Sequence, residues 1–199
     1  RPVMIENSNS SESPNITPSV VVFEGEKTLV GESAKEAAHI NPNGAVFQKW
    51  KLQMQDPKPI TRAGVTKTPI ELSSLVLQEL ISAAQQKTGQ TVDSAVITIP
   101  AKFEEEARRN TIAAGEAIGL TIKDIINEPT AALLYYSLSH QIVGKVIVFD
   151  FGGGTLDVTA AEVHGQDIRV ICSNGDNVGG QNFDLSLIHI SEPTRRRGI

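Results

Sequence analysis

Two kinds of hydrophobic pattern alternate along the chain. Short runs rich in valine and isoleucine, such as residues 95–100 (AVITIP) and 146–151 (VIVFDF), have the length and composition of β-strands. Between the strand-like runs lie longer segments in which apolar residues recur every three or four positions, as they do on one face of a helix. This alternation predicts an α/β fold in which helices cover a mixed sheet.

The beginning of the chain predicts short elements. Residues 6–15 (ENSNSSESPN) are polar and turn-forming, and they predict an exposed loop before a strand at residues 19–23. Gly25 then marks a hairpin. Residues 33–39 form a short alanine-rich segment, and residues 56–68, which include two prolines, predict a connection.

A capping box predicts the start of the first long helix. Thr68 has the side chain of an N-cap, Pro69 suits the first helical position, and Glu71 stands at the third. Leucines at helical spacing follow, and Gly89 is predicted to end the helix.

The second half of the chain predicts further helices and strands. Three glutamates suit the positive N-terminal end of a helix at about residues 104–118. Gly119 ends that helix, and Pro129 opens a later one. The predicted elements that follow Gly119 are a buried strand at 120–126, a helix at 130–136, a strand at 156–163 and a strand at 168–172.

The composition is that of an ordinary folded domain. The 199 residues carry a net charge of −5, with 40% hydrophobic and 21% charged residues, which favours neither intrinsic disorder nor nucleic-acid binding. We find no apolar run long enough to cross a membrane and no signal peptide, so we expect a cytoplasmic protein without a membrane partner. The single cysteine, Cys172, excludes an internal disulfide, and we expect it to be buried.

Three consecutive glycines suggest a phosphate-binding turn. Gly152, Gly153 and Gly154 lie between two strand-like runs, and a turn without Cβ atoms lets backbone amides approach an anion closely or adopt positive φ. A helix would follow the glycines in a P-loop or a dinucleotide-binding motif, whereas a strand is predicted here. A plain hairpin without a ligand is the alternative.

Two aspartates flank the glycine turn. Asp150 and Asp157 would repel a phosphate unless a cation lay between them, which suggests Mg²⁺. Glu128 is a third candidate, since it stands between a predicted strand and a predicted helix, where open α/β sheets bind ligands. The alternatives are solvated surface charges for the aspartates and a helix cap for Glu128.

Four motifs in this order resemble the ATPase domain of the Hsp70 chaperones, in the actin and sugar-kinase superfamily. They are VITIPAKF, INEPTAALLYY, VFDFGGGTLDV and VGGQNFD, and the resemblance covers residues 17–184. It implies a partial actin-like, ribonuclease H-like domain. Residues 1–145 would form most of the first lobe, and residues 146–184 would begin the second.

The resemblance also implies roles for individual residues in binding and hydrolysing ATP. Asp150 and Glu128 would position hydrated Mg²⁺, and Asp157 would orient or deprotonate the attacking water. Thr155 would act with them in catalysis. The residues implied to hold the ATP or ADP phosphates are Gly152, Gly153, Gly154, Thr155, Gly179 and Gly180.

Three further residues match residues that have functional roles in the family. Lys51 matches a lysine near the γ-phosphate, although the neighbouring Lys49 leaves the registration open and a solvated lysine is the alternative. Pro100 and Arg108 match the pair that couples nucleotide state to the substrate-binding domain, with an ordinary surface charge as the alternative for Arg108. Two departures are Gln181, where an acidic residue is usual, and Lys102, where an aromatic is common.

The resemblance implies a chaperone that uses ATP in protein folding and the stress response. Its partners would be unfolded client proteins, bound by a substrate-binding domain outside this sequence, together with J-domain and nucleotide-exchange co-chaperones. Two rival functions are a filament-forming actin-like ATPase, which the motifs NEPTAA and VITIPAKF disfavour, and a non-enzymatic interaction module. Retention of Asp150, Glu128 and Asp157 disfavours the second rival.

Both ends of the chain depart from the family pattern. The family's first phosphate turn, Asp-Leu-Gly-Thr-Thr, would precede Arg1, and its adenosine-binding half would follow Asp184, so we expect this chain alone to bind ATP poorly and not to hydrolyse it. Residues 185–199 resemble a translated sequencing adapter, and a native tail with a basic patch at Arg195, Arg196 and Arg197 is the alternative.

Overall fold

A computed structural model describes residues 5, 16–165, 167–176 and 178–180. The chain forms two compact units. Unit 1 comprises Arg1–Val96 and Glu104–Asp124, and unit 2 comprises Ile97–Phe103 and Ile125–Ile199. The predicted α/β class is confirmed. No helix in the described ranges is both long and apolar enough to cross a bilayer.

Unit 1 begins with a three-stranded antiparallel sheet in the order β2-β1-β3. Its strands are β1 (Val20–Glu24), β2 (Lys27–Val30) and β3 (Ala45–Gln48), and α1 (Glu32–Ile40) separates the last two. The predicted hairpin at Gly25 is confirmed, with φ at 59°. Successive side chains of β1 point to opposite faces. Val20 and Val22 therefore pack with Ala34 of α1, while Val21 belongs to a second cluster with Phe47 and Leu72.

A short hairpin lies within the connection predicted at residues 56–68. After the 3₁₀-helix Lys51–Gln55, β4 (Ile60–Arg62) pairs with β5 (Val65–Lys67) through a turn in which Ala63 and Gly64 both have positive φ. The prediction of a connection at residues 56–68 did not include this hairpin. Strands of three residues are too short to show the alternation by which a strand is recognised.

The predicted capping box is present at the start of α2 (Pro69–Thr88). Glu71 N–H donates to Thr68 Oγ1 at 3.2 Å, and Thr68 N–H donates to Glu71 Oε2 at 2.8 Å. Gly89, with φ at 68°, ends the helix as predicted. Leu72, near the start of α2, is completely buried against the first sheet.

Buried polar contacts join α2 to the neighbouring helices. Ser74 Oγ on α2 donates to Ala114 O on α3 (Glu105–Glu116) at 2.8 Å. Asn110 Nδ2, also on α3, donates to Met54 O in the 3₁₀-helix at 2.8 Å. Buried polar groups need such partners, so these bonds fix which faces of the helices meet.

Two strands pair with each other across the positions where the chain passes between units. They are β6 (Ser94–Ile99) and β7 (Thr121–Asn127), and two of the three boundaries between the units fall inside them, after Val96 and after Asp124. The prediction of a buried strand at residues 120–126 was only partly right. Ile125 is buried in β7, whereas Thr121, Lys123 and Asp124 are exposed, because these polar side chains remain in water.

Unit 2 contains the second three-stranded antiparallel sheet, in the order β10-β9-β8. Its strands are β8 (Val143–Phe151), β9 (Leu156–His164) and β10 (Asp167–Asp176). Leu133 of α4 (Glu128–Ser139) packs with Ala161 and Val163 of β9. The odd-numbered residues from Asp157 to Val163 are buried, which marks the face of the central strand that α4 helps to cover.

Cys172 corrects one prediction. Its side chain is exposed, not buried. The residue lies on β10, an edge strand whose pairing with β9 shifts by one position between Val170 and Cys172. An edge strand has a neighbour on one side only, so the apolar character of a residue does not ensure burial there.

The capping box should make the stability of unit 1 depend on pH. The hydrogen bond from Thr68 N–H, and then the bond and charge of Lys67, lower the pKa of the Glu71 carboxyl below its usual 4.5. A lowered folded-state pKa means that the stabilisation is present above about pH 4.5 and is lost as the pH falls through the folded value.

Thr68→Ala removes the side chain of the N-cap. It should lower the free energy of unfolding by about 1 kcal/mol at pH 7, measured by urea titration with circular dichroism.

Glu71→Gln provides the matched control for the pH effect. Glutamine can still accept the Thr68 N–H bond but does not ionise, so this variant should lose less stability below pH 4.5 than the unaltered chain does. An identical decrease in both proteins would contradict the role assigned to the Glu71 carboxylate.

Candidate functional site

The glycine turn joins β8 to β9 and closes tightly. Phe151 pairs with Leu156 at the ends of the strands. One more backbone bond follows, in which Gly152 N–H donates to Thr155 O at 2.9 Å. The chain therefore reverses over Gly153 and Gly154. The predicted strand after the glycines is confirmed, which separates this turn from glycine motifs that lead into a helix.

The pairing of β8 with β9 places Asp150 directly opposite Asp157. Directly opposed residues of an antiparallel pair point to the same face of the sheet, with Cβ atoms about 4.5–5.5 Å apart. Two negative charges at that spacing destabilise a sheet unless something compensates for them. The flanking carboxylates of the sequence are thus brought together at the base of the turn.

Asp157 is buried, with 1% of its surface exposed. Its Oδ1 accepts a hydrogen bond from Ala101 N–H at 3.1 Å. The alternative of a solvated surface charge is therefore wrong for Asp157, and Asp150 is half-buried. Sequence reasoning missed the Ala101 contact because 56 positions separate the two residues and a backbone donor leaves no mark in the residue type.

The second glycine pair packs directly against the first turn. Gly180 N–H donates to Gly152 O at 3.0 Å. A Cβ atom at Gly179 would lie 2.5 Å from both Gly153 C and Gly154 N, a spacing that Cβ atoms do not tolerate. Contact within the chain therefore requires glycine at position 179, whatever else this residue binds.

Two other glycines are not required by any contact or backbone conformation that the structure describes. Neither Gly152 nor Gly180 has a positive φ, and a Cβ atom at either would make only ordinary contacts, at 3.6 Å from Thr155 O and 3.9 Å from Gly153 Cα respectively. Positive φ, one of the two reasons predicted for glycine in this turn, does not apply at Gly152. Within the part of the chain that the structure describes, space remains beside both backbones.

Thr155 and Glu128 are two further candidate residues of unit 2. Thr155 ends the glycine turn and is buried, with 8% of its surface exposed. Glu128 is half-buried and is the first residue of α4, where Asn127 takes the N-cap position. Glu128 is therefore not the cap itself, although an acid in the first turn also suits the helix dipole.

No three His, Cys, Asp or Glu side chains in the described ranges are grouped closely enough to hold a metal ion. The structure therefore does not gather Glu128 with Asp150 and Asp157 as direct ligands. The prediction was of hydrated Mg²⁺, which keeps several waters and needs only one or two carboxylates together with phosphate oxygens. Asp150 and Asp157 can meet that requirement.

The remaining predicted site residues are divided between the units. Lys51 is exposed at the start of the 3₁₀-helix in unit 1, and Arg108 is half-buried on α3. Trp50, next to Lys51, is buried and donates from Nε1 to Ser73 Oγ at 3.0 Å. Pro100 is buried in unit 2. The roles of these residues stay predictions, as do the lobe boundaries.

Several predictions fall on residues outside the described ranges. They are the loop at residues 6–15, the departure at Gln181, and the segment at residues 185–199 with its three arginines.

A pair of substitutions tests whether Gly179 shapes the turn. Gly179→Ala should destabilise unit 2 by about 1–3 kcal/mol, because its methyl group overlaps the backbone of Gly153 and Gly154. Gly180→Ala is the matched control and should change stability by less than about 0.5 kcal/mol. Urea unfolding measures both, and equal effects of the two substitutions would contradict the packing described here.

Comparison with protein families agrees with these motifs. A family model described as Hsp70 protein matches residues 1–56 and 50–197. The second match extends through most of the segment that begins at Leu185. Together the matches cover nearly the whole chain, including the glycine turn, both aspartates and the second glycine pair. The chain therefore belongs to the Hsp70 family.

Proposed function

We propose that unit 2 carries the phosphate-binding and magnesium-binding part of an Hsp70 ATPase site. The observation that carries this proposal is the space beside Gly152 and Gly180, where neither backbone conformation nor any contact among the described residues requires glycine. A ligand that approaches the backbone itself would account for glycine at both positions. Phosphate oxygens suit such a place because backbone N–H groups bind anions.

The opposed aspartates support a cation at the same place. Asp150 and Asp157 bring two carboxylates to the base of a turn that would hold an anion. A divalent cation would compensate for both the repulsion between the carboxylates and their repulsion of phosphate. Bound Mg²⁺ would supply charge neutralisation at the phosphate oxygens.

Different residues of unit 2 would then have different roles in ATP hydrolysis. The amides of the glycine turn would hold the β- and γ-phosphates, and Gly180, which packs with Gly179 against that turn, would border the same space. Asp150 and Glu128 would position the hydrated metal ion. Asp157 would orient the attacking water, and Thr155 would act beside it at the end of the turn. Phosphoryl transfer depends mostly on such positioning and charge compensation.

Other parts of the proposal rest on family membership. Lys51 would contact the γ-phosphate, and Pro100 and Arg108 would pass nucleotide state to a substrate-binding domain. The protein would act in the cytoplasm on unfolded clients, with J-domain and nucleotide-exchange co-chaperones. We propose that the 199 residues by themselves bind ATP poorly and do not hydrolyse it. Activity is therefore best measured on the complete product of the source gene.

Asp150→Asn tests the proposal most simply. Removing one charge of the opposed pair should lower the rate of Mg²⁺-dependent ATP hydrolysis by on the order of 100-fold, measured as phosphate release. Asp167→Asn is the control, because Asp167 is an exposed aspartate at the far end of β9 and β10 and should leave the rate unchanged. Equal rates for Asp150→Asn and the unaltered protein would refute the proposed metal site.

A further inference from the structure

We propose that Gly175, Asp176, Ala101 and Lys102 form a seat that positions the Asp157 carboxylate for catalysis. We call these four residues the Asp157 seat. The proposal rests on the function proposed above, because it concerns the residue that would orient the attacking water. All four residues and Asp157 belong to unit 2.

Gly175 provides one wall of the seat. It lies directly opposite Asp157 in the pairing of β9 with β10. A Cβ atom at Gly175 would overlap Asp157 Oδ1 and would lie 3.2 Å from Leu156 O. Since φ at Gly175 is not positive, backbone conformation does not explain this glycine. The space that it leaves is taken by the carboxylate of Asp157.

Ala101 provides the donor. Its N–H reaches the same oxygen, Asp157 Oδ1, at 3.1 Å. The donor belongs to a turn that begins at the buried Pro100, in which Phe103 N–H donates to Pro100 O at 3.1 Å. One oxygen of the carboxylate is thus fixed between a backbone donor and the backbone of β10. The other carboxylate oxygen, Asp157 Oδ2, would then be the one that orients the attacking water.

An ion pair connects the donor to the wall. Lys102 Nζ lies 3.3 Å from Asp176 Oδ1. Lys102 follows Ala101 in the sequence, and Asp176 follows Gly175. The turn at residues 100–103 is thereby tied to the strand that accommodates Asp157. The two side chains are 44% and 69% exposed, so the pair should contribute little to global stability. An effect on catalysis without an effect on stability would therefore indicate positioning.

Single-turnover ATP hydrolysis by the complete gene product tests the seat. Gly175→Ala should slow hydrolysis by on the order of 100-fold, because it displaces the carboxylate, while the nucleotide Kd changes less than about twofold. In an Asp157→Ala background, Gly175→Ala should have no further effect on the remaining rate. A full additional loss in that background would show that Gly175 does not act through Asp157.

Lys102→Met keeps the proposal testable if Gly175→Ala does not fold. It should slow hydrolysis by about two- to fivefold with no change in the urea midpoint. Arg169→Met is the matched control, since it breaks an exposed ion pair with Glu162 in the same sheet, away from Asp157, and should leave the rate unchanged. Equal rates for Lys102→Met and Arg169→Met would overturn the assignment of Lys102 to the seat.

The outcomes separate this proposal from the one on which it rests. If the unaltered gene product does not hydrolyse ATP, the proposed function fails and the catalytic role of the seat fails with it. If the unaltered protein hydrolyses ATP and Gly175→Ala does so at the same rate, only the seat is refuted. In the 199-residue chain, the Ala101 amide resonance should shift in both Gly175→Ala and Asp157→Asn, and an unchanged resonance in both would refute the hydrogen bond.

Discussion

The register between β8 and β9 determines where the other parts of the candidate site lie. It sets Asp150 opposite Asp157 and leaves Gly153 and Gly154 to reverse the chain. A shift by one residue would move every side chain of β9 to the other face, so the buried alternation from Asp157 to Val163 holds the register in place. Packing of the sheet against Leu133 of α4 thus stabilises the arrangement of the two carboxylates.

The glycines of the site meet two different requirements. Gly175 and Gly179 leave room for atoms of the chain itself, a carboxylate in the first case and a backbone turn in the second. Gly152 and Gly180 have no such neighbour among the described residues, and their bare backbones border space that a ligand can approach. Sequence alone does not separate these cases, since it shows where Cβ atoms are missing and not what lies beside them.

Local signals in the sequence predicted local structure well. The capping box at Thr68 and the strand after the glycine turn depend on neighbouring residues, and both were predicted correctly. Burial was harder to predict, because it depends on which strands become neighbours. Cys172 lies on an edge strand and is exposed, whereas Asp157, a charged residue, is buried by contacts with the distant Ala101 and Gly175. The motifs identified the candidate residues, but the residues that contact them could be identified only from the fold.

Binding of phosphates by the glycine turn is tested most directly by a nuclear magnetic resonance titration of the isotope-labelled complete gene product with ADP, with and without Mg²⁺. We expect saturable shifts of the Gly152, Gly153, Gly154 and Thr155 amides, with the Gly180 amide also affected, and tighter binding when Mg²⁺ is present. Saturable nucleotide binding that leaves these amides unchanged would contradict the claim that the glycine turn of unit 2 holds the phosphates.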